Sequence, residues 1–186
     1  MAAEGVLQAL AQQLFAVPDA RVYAILDGAS VPELPQTLER FGVESECLFR
    51  GELEPDLALV APYLASVRPD DPFTAWLLQE GWGRHWGVFA VAPVDLRPLR
   101  MHLRGFLKVY GPDLKPLYFR YYDPRVLRVY LPTCNAQELR TMFGPVLRYL
   151  TEDEDPSALL AFWPEDGQLH TERTPVAGPS STTRRV

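Results

Sequence analysis

A chain of 186 residues with 47% hydrophobic and 11% aromatic content carries enough apolar material for a folded core, which excludes disorder over most of its length. Its formal net charge of −6 excludes a surface built as a whole to attract a phosphate backbone, so no nucleic-acid partner is expected. Arginine makes up all but two, Lys108 and Lys115, of the 18 basic residues. GC-rich coding accounts for that bias, and so does use of arginine in ion pairs or at an interface.

The length suits one domain or two closely joined lobes. Cys47 and Cys134 match no metal-ligand spacing and are too few for a secreted disulfide scaffold, so both are expected as free, mostly buried thiols in a reducing compartment. No lysine or arginine precedes Arg21, unlike the basic start of a signal peptide. No apolar run reaches the ~20 residues of a membrane span. The expected location is the cytoplasm, with no membrane span.

In chain order, Leu7, Leu10 and Leu14 recur at helical spacing and Pro18 stops that helix. Val22–Leu26 reads as a strand closed by the turn residues Asp27-Gly28-Ala29. Leu34, Leu38 and Phe41 define a helix capped by Gly42. Cys47-Leu48-Phe49 reads as a second strand, and Leu57–Leu64 as a third, interrupted at Pro62. Asp71-Pro72 opens a helix that ends at Gly81, with Phe73, Trp76 and Leu77 facing inward. Trp86–Ala92 is a strand.

Asp95 opens a helix with Leu96, Leu99, Leu103, Phe106 and Leu107 on one side, and Arg97, Arg100, Arg104 and Lys108 on the other. Leu117–Tyr122 and Leu127–Leu131 read as two strands flanking Asp123-Pro124. Asn135 with Glu138 forms a capping box for a helix ended by Gly144-Pro145. Leu159–Trp163 and Leu169–Glu172 read as the last strands. The run Glu152-Asp153-Glu154-Asp155 reads as a solvated loop. From Thr174 the composition is that of a disordered tail. The fold class is α/β in the mixed α+β sense: a mixed sheet flanked by helices, in an N-terminal lobe 1–95 and a C-terminal lobe 96–173.

Enzyme signatures are absent: no phosphate loop with Lys-Ser or Lys-Thr, no His-Glu-x-x-His and no Gly-x-Ser-x-Gly. The stretch Gly81-Trp82-Gly83-Arg84-His85-Trp86-Gly87 has a dinucleotide loop's glycines, but the third is one residue late and the segment follows a helix. A small hydrolase or nucleotide-using enzyme employing Asp27, His85 or His102 is the rival from the enzyme class. No metal and no cofactor are expected.

Phe119-Arg120-Tyr121-Tyr122-Asp123-Pro124-Arg125-Val126-Leu127-Arg128 carries the densest chemistry. Arginine forks and tyrosines often hold a partner's surface. Equally, Asp123 can pair with Arg120 or Arg125 and hold a turn. A structural clasp, a contact surface, or both together fit the residues. The basic stripe of Arg97, Arg100, Arg104 and Lys108 reads as a solvated or protein-facing surface able to meet an acidic segment.

Several pieces in register resemble one family: Tyr23-Ala24-Ile25-Leu26-Asp27-Gly28-Ala29, Leu48-Phe49-Arg50-Gly51, Ala61-Pro62-Tyr63-Leu64, His102-Leu103-Arg104, and Phe119 through Leu127. The chain is similar to the type VI secretion adaptor proteins, or effector chaperones, of Gram-negative bacteria. That resemblance implies an α/β fold and a non-enzymatic role: binding a toxic effector in the cytoplasm and helping load it onto the spike protein. It also implies a gene lying between those of spike and effector. The expected partner-binding residues are Arg120, Tyr122, Asp123, Arg125 and Arg128, with Arg100 and Arg104 secondary. An immunity protein that neutralises a toxin is a further rival.

Overall fold

The computed structural model describes residues 4–110 and 115–176, and it sets the run Val22–Leu26 inside a seven-stranded sheet. The first half of the chain supplies α1 (Glu4–Leu14), β1 (Arg21–Asp27), α2 (Leu34–Phe41), β2 (Ser45–Cys47), α3 (Pro55–Val60), β3 (Pro62–Val67), α4 (Pro72–Gly81) and β4 (Gly87–Ala92). The second half supplies α5 (Leu96–Leu103), β5 (Lys108–Tyr110), β6 (Pro116–Tyr118), α6 (Pro124–Tyr130), α7 (Ala136–Phe143), β7 (Arg148–Glu152), β8 (Ala158–Glu165) and β9 (Gln168–Pro175). The large sheet runs β2-β3-β1-β4-β7-β8-β9, and β5 and β6 form a separate ribbon. The class is mixed α/β as expected, and every described pairing is antiparallel.

Period-two alternation divides each central strand between two cores. Tyr23, Ile25, Val88, Ala90, Tyr149 and Phe162 pack with α5, α6 and α7 on one face. Val22, Ala24, Leu26, Phe89, Val91 and Leu150 pack with α1, α2 and α4 on the other. The helices α1, α2 and α4, before residue 95, cover one face, and α5, α6 and α7, after it, cover the other. Strands from both sides of that point share the sheet. Burying each Leu or Phe of these layers contributes about 1.5–3 kcal/mol.

Buried tyrosines tie the layers with their hydroxyls. Tyr121 Oη donates to the Leu103 carbonyl at 3.0 Å and Tyr149 Oη to the Met142 carbonyl at 2.8 Å, each near a helix C-terminus where carbonyls lack intrahelical partners. Burial pushes both hydroxyls well above the ordinary tyrosine value.

Several expectations are corrected, among them the strand expected over Leu117–Tyr122, which ends at Tyr118, and that over Cys47–Phe49, which lies at Ser45–Cys47. Leu57–Leu64 splits: Pro55 starts the short helix α3, and only from Pro62 does the chain extend as β3. Leu127–Leu131 is not a strand, because Asp123 accepts the Arg125 backbone N–H, Pro124 occupies the first turn, and Leu127 and Leu131 bury one helical step apart. The basic helix stops at Leu103, and Lys108 belongs to β5. Glu152 is not solvated but buried at the end of β7.

At the C-terminal end, Thr174 and Pro175 finish β9, where Pro175 lies opposite Ala158, and Val176 is buried. The rest of the expected tail lies outside the described residues. No helix among the described residues is long and apolar enough to cross a membrane. Both cysteines are free and half-buried.

Candidate functional site

The site begins where β1 ends. Asp27 is buried, and its carboxylate accepts from the Ala29 backbone N–H at 3.1 Å and the Ser30 hydroxyl at 2.8 Å, which fixes the turn. Gly28 lies flat against the junction of α3 and β3: a Cβ there would sit 2.4 Å from the Ala61 carbonyl oxygen and 2.6 Å from that of Leu59. Only glycine permits that approach. The remaining side of the Asp27 carboxylate is taken by the Arg120 guanidinium.

Arg120 leads to Asp123, 3.9 Å away, and Asp123 to Arg125. The Asp123 carboxylate receives the Arg125 backbone N–H at 2.9 Å and both arms of its guanidinium, Nε at 3.0 Å and Nη2 at 2.8 Å. One acid therefore caps α6 and grips a bidentate fork. Burial works to raise the Asp123 carboxyl, but these bonds outweigh it and hold the group below its ordinary value. Burial likewise works to lower Arg120, and its bond and charge pairing with Asp27 reverse the sign.

Along Asp27–Arg120–Asp123–Arg125, buried acids alternate with half-exposed bases. The carboxylate side chains are 2% and 6% exposed, the guanidinium side chains 45% and 56%. The acids are internal fasteners and the arginines offer a half-open surface. Tyr122 is buried beside this chain. Its hydroxyl is pushed up to about 12, first by burial and then by the Asp27 charge.

Arg128 ties the far side of α6 to the sheet, donating from Nη1 to the Glu152 carbonyl at 2.9 Å. The Glu152 carboxylate accepts the Gly83 N–H at 2.6 Å and the His85 N–H at 3.0 Å, and His85 Nδ1 lies against it. The glycine-rich loop thus wraps an internal carboxylate with the same kind of backbone N–H cradle that elsewhere holds a phosphate.

Arg100 and Arg104 lie apart from this chain. Arg100 Nε donates to the Cys47 carbonyl at 2.7 Å and pairs with Glu46 at 2.9 Å. Arg104 lines a groove of about 400 Å³ with Phe49, Arg50, Lys108 and Tyr118. The seven sequence-predicted residues therefore fall at two places. Arg120, Tyr122, Asp123, Arg125 and Arg128 organise α6 and its contacts, whereas Arg104 lines the groove and Arg100 is held at Cys47 and Glu46.

Sequence reading missed Glu152, hidden at the head of an acidic run, although the preceding Arg148-Tyr149-Leu150-Thr151 has strand composition. It passed over Arg50, which sat within a quoted motif. Asp27 was read as a turn residue and a candidate for acid–base chemistry, not as the anchor of Arg120. Among the aromatic residues, Trp86 belongs to the core and Tyr118 is 61% exposed.

No curated protein and no solved structure matches the chain. One family, described as a domain of unknown function (DUF4123), matches residues 22–141, a span that holds Asp27, the groove arginines and the whole of α6. Because that match covers well over half of the sequence, the chain belongs to the DUF4123 family.

Proposed function

We propose that the protein is a cytoplasmic, cofactor-free adaptor that binds a cognate type VI secretion effector and promotes its loading onto the spike protein of the secretion apparatus. Membership of DUF4123, a family known as type VI secretion effector-associated, carries this reading. Its physical counterpart is the chain of ion pairs that fixes the start of α6 and leaves the Arg120 and Arg125 side chains half open, in an orientation already settled before a partner arrives. A pre-ordered guanidinium loses less freedom on contact than a free one. Arg100 and Arg104 supply a second contact region.

The groups that suggested a hydrolase are engaged within the fold. Asp27 is held by Ala29, Ser30 and Arg120, His85 rests on Glu152, and His102 faces the Met142 carbonyl. Each has a structural partner in the fold.

Co-expression with the effector encoded beside the gene tests the proposal. The wild-type protein retains that effector through purification. Arg125→Ala weakens retention while stability changes by only about 1 kcal/mol, because the Arg125 side chain is half exposed and Asp123 keeps its backbone donor. Failure of the wild type to retain the effector overturns the reading, and protection of cells from the toxin without any effect on export assigns the chain to the immunity class.

A further inference from the structure

The groove beside α5 is a local inversion of the molecule's charge. The protein carries −6 overall, yet Arg50, Arg104 and Lys108 converge on this single cleft and no acidic side chain lines it among the described residues. Glu46, whose charge reaches Arg104, is itself paired with Arg100. Arg104 Nε is buried with no hydrogen-bond partner. A buried donor left unmatched is costly, so the free protein holds an unmet demand for an acceptor at this point. Burial and the neighbouring charges of Arg100 and Arg50 push Arg104 below its ordinary value, which registers the same crowding.

The floor and rim are apolar. Leu48, Leu53 and Leu107 line the cleft, and Leu57 and Tyr118 stand at it 44% and 61% exposed. Phe49 and Tyr118 meet at 5.7 Å between ring centroids, and Lys108 Nζ lies 5.4 Å over the Tyr118 ring. This cation–π contact keeps the lysine head at the cleft.

We infer that this groove is the docking site for an extended segment of the partner protein in which acidic residues are interspersed with apolar ones. The carboxylates meet Arg50, Arg104 and Lys108, and the apolar side chains cover the leucine floor and Tyr118. A nucleic acid satisfies the cations but not the leucines, and the protein's overall negative charge repels a polyanion. The inference rests on the adaptor reading and specifies the chemistry of what the adaptor grips.

Fluorescence polarisation with full-length protein tests it, using a short labelled peptide that alternates glutamate with leucine. A matched glutamine–leucine peptide and a single-stranded oligonucleotide serve as comparisons. The glutamate peptide binds about tenfold or more tightly than the glutamine peptide, and the double variant Arg104→Glu/Lys108→Glu abolishes that preference. If the double variant melts early, Arg50→Gln, at a residue that also lines the cleft, gives the same loss without a charge reversal. Equal binding of the two peptides, undiminished binding by the variants, or preference for the oligonucleotide overturns the inference. Retention of the neighbouring effector by the charge-reversed variant overturns the groove assignment while leaving the adaptor reading in place, whereas failure of the wild type to retain it overturns that reading itself.

Discussion

Arg120 reaches back across 93 positions of sequence to close on the carboxylate of Asp27, joining the first strand of the sheet to the entry of α6. This pair lets two distant segments behave as one unit. Asp27 fixes its own turn and anchors the arginine, and the arginine lies between two buried carboxylates.

Removing the acid therefore costs more than removing the base. Asp27→Ala frees the Ser30 hydroxyl and the Ala29 N–H as well as Arg120, and lowers unfolding stability by about 2–3 kcal/mol. Arg120→Ala leaves Asp27 two of its donors, and because its side chain is half exposed the cost is about 1–2 kcal/mol. Urea unfolding of the two single variants and the double variant checks both the order and the coupling. Equal costs with zero coupling refute the arrangement.

Glu152 holds a loop. Glu152→Ala leaves the Gly83 and His85 backbone N–H groups without their acceptor and lowers stability by about 2–3 kcal/mol, whereas Glu152→Gln, which keeps an acceptor oxygen, costs less. Hydrogen exchange reads this locally: the Gly83 and His85 amides lose protection in Glu152→Ala while amides in β1 change only with global stability. Unchanged protection at both amides contradicts the cradle.

Asp123 makes part of the stability dependent on pH. Its folded pKa lies below its ordinary value because the Arg125 bonds outweigh burial. A depressed carboxyl contributes stability that is complete above an unfolded pKa of about 4 and is lost as the pH falls through the folded value. Asp123→Asn keeps an N-cap acceptor and removes the charge, so its acid-unfolding limb below about pH 4 is shallower than that of the wild type. Superimposable limbs rule the pairing out as a source of acid sensitivity.

His102 acts in a higher window. Burial pulls its pKa below the ordinary value against the opposing bond to the Met142 carbonyl. The unfolded chain takes up the proton first, so this contribution is complete above about pH 6.5 and is lost as the pH falls from there through the folded value. An NMR titration places the His102 ring below about 6.5. The same ring explains Gly144, where a Cβ would lie 2.3 Å from His102 Cε1 at a φ of +48°, so Gly144→Ala destabilises on both steric and backbone grounds.

Local signals read well where one residue decides. Asp71 with Pro72 and Asn135 with Glu138 announced α4 and α7 through caps that satisfy backbone donors within three residues. Gly42 closed α2 in the left-handed conformation expected of it. Asp123-Pro124 carried the same message, but Val126, Val129 and Tyr130 have strand propensity, and that outweighed the cap in the reading. Val129 is 72% exposed, so its branched side chain never had to pack in a sheet. The burial of Glu152 was illegible because its acceptors' partners lie almost 70 positions earlier, at Gly83 and His85. The arginines of the quoted motifs other than Arg50 were found, but not their division between an ion-pair chain and a groove, which depends on where α5 stops.

Export tests most directly the proposed holding of another polypeptide. When the gene is deleted from a strain with an active secretion apparatus, the effector encoded beside it disappears from the culture supernatant while unrelated effectors are still exported. Wild-type complementation restores it, and complementation by Arg125→Ala restores less. Normal export of the neighbouring effector from the deletion strain contradicts the account.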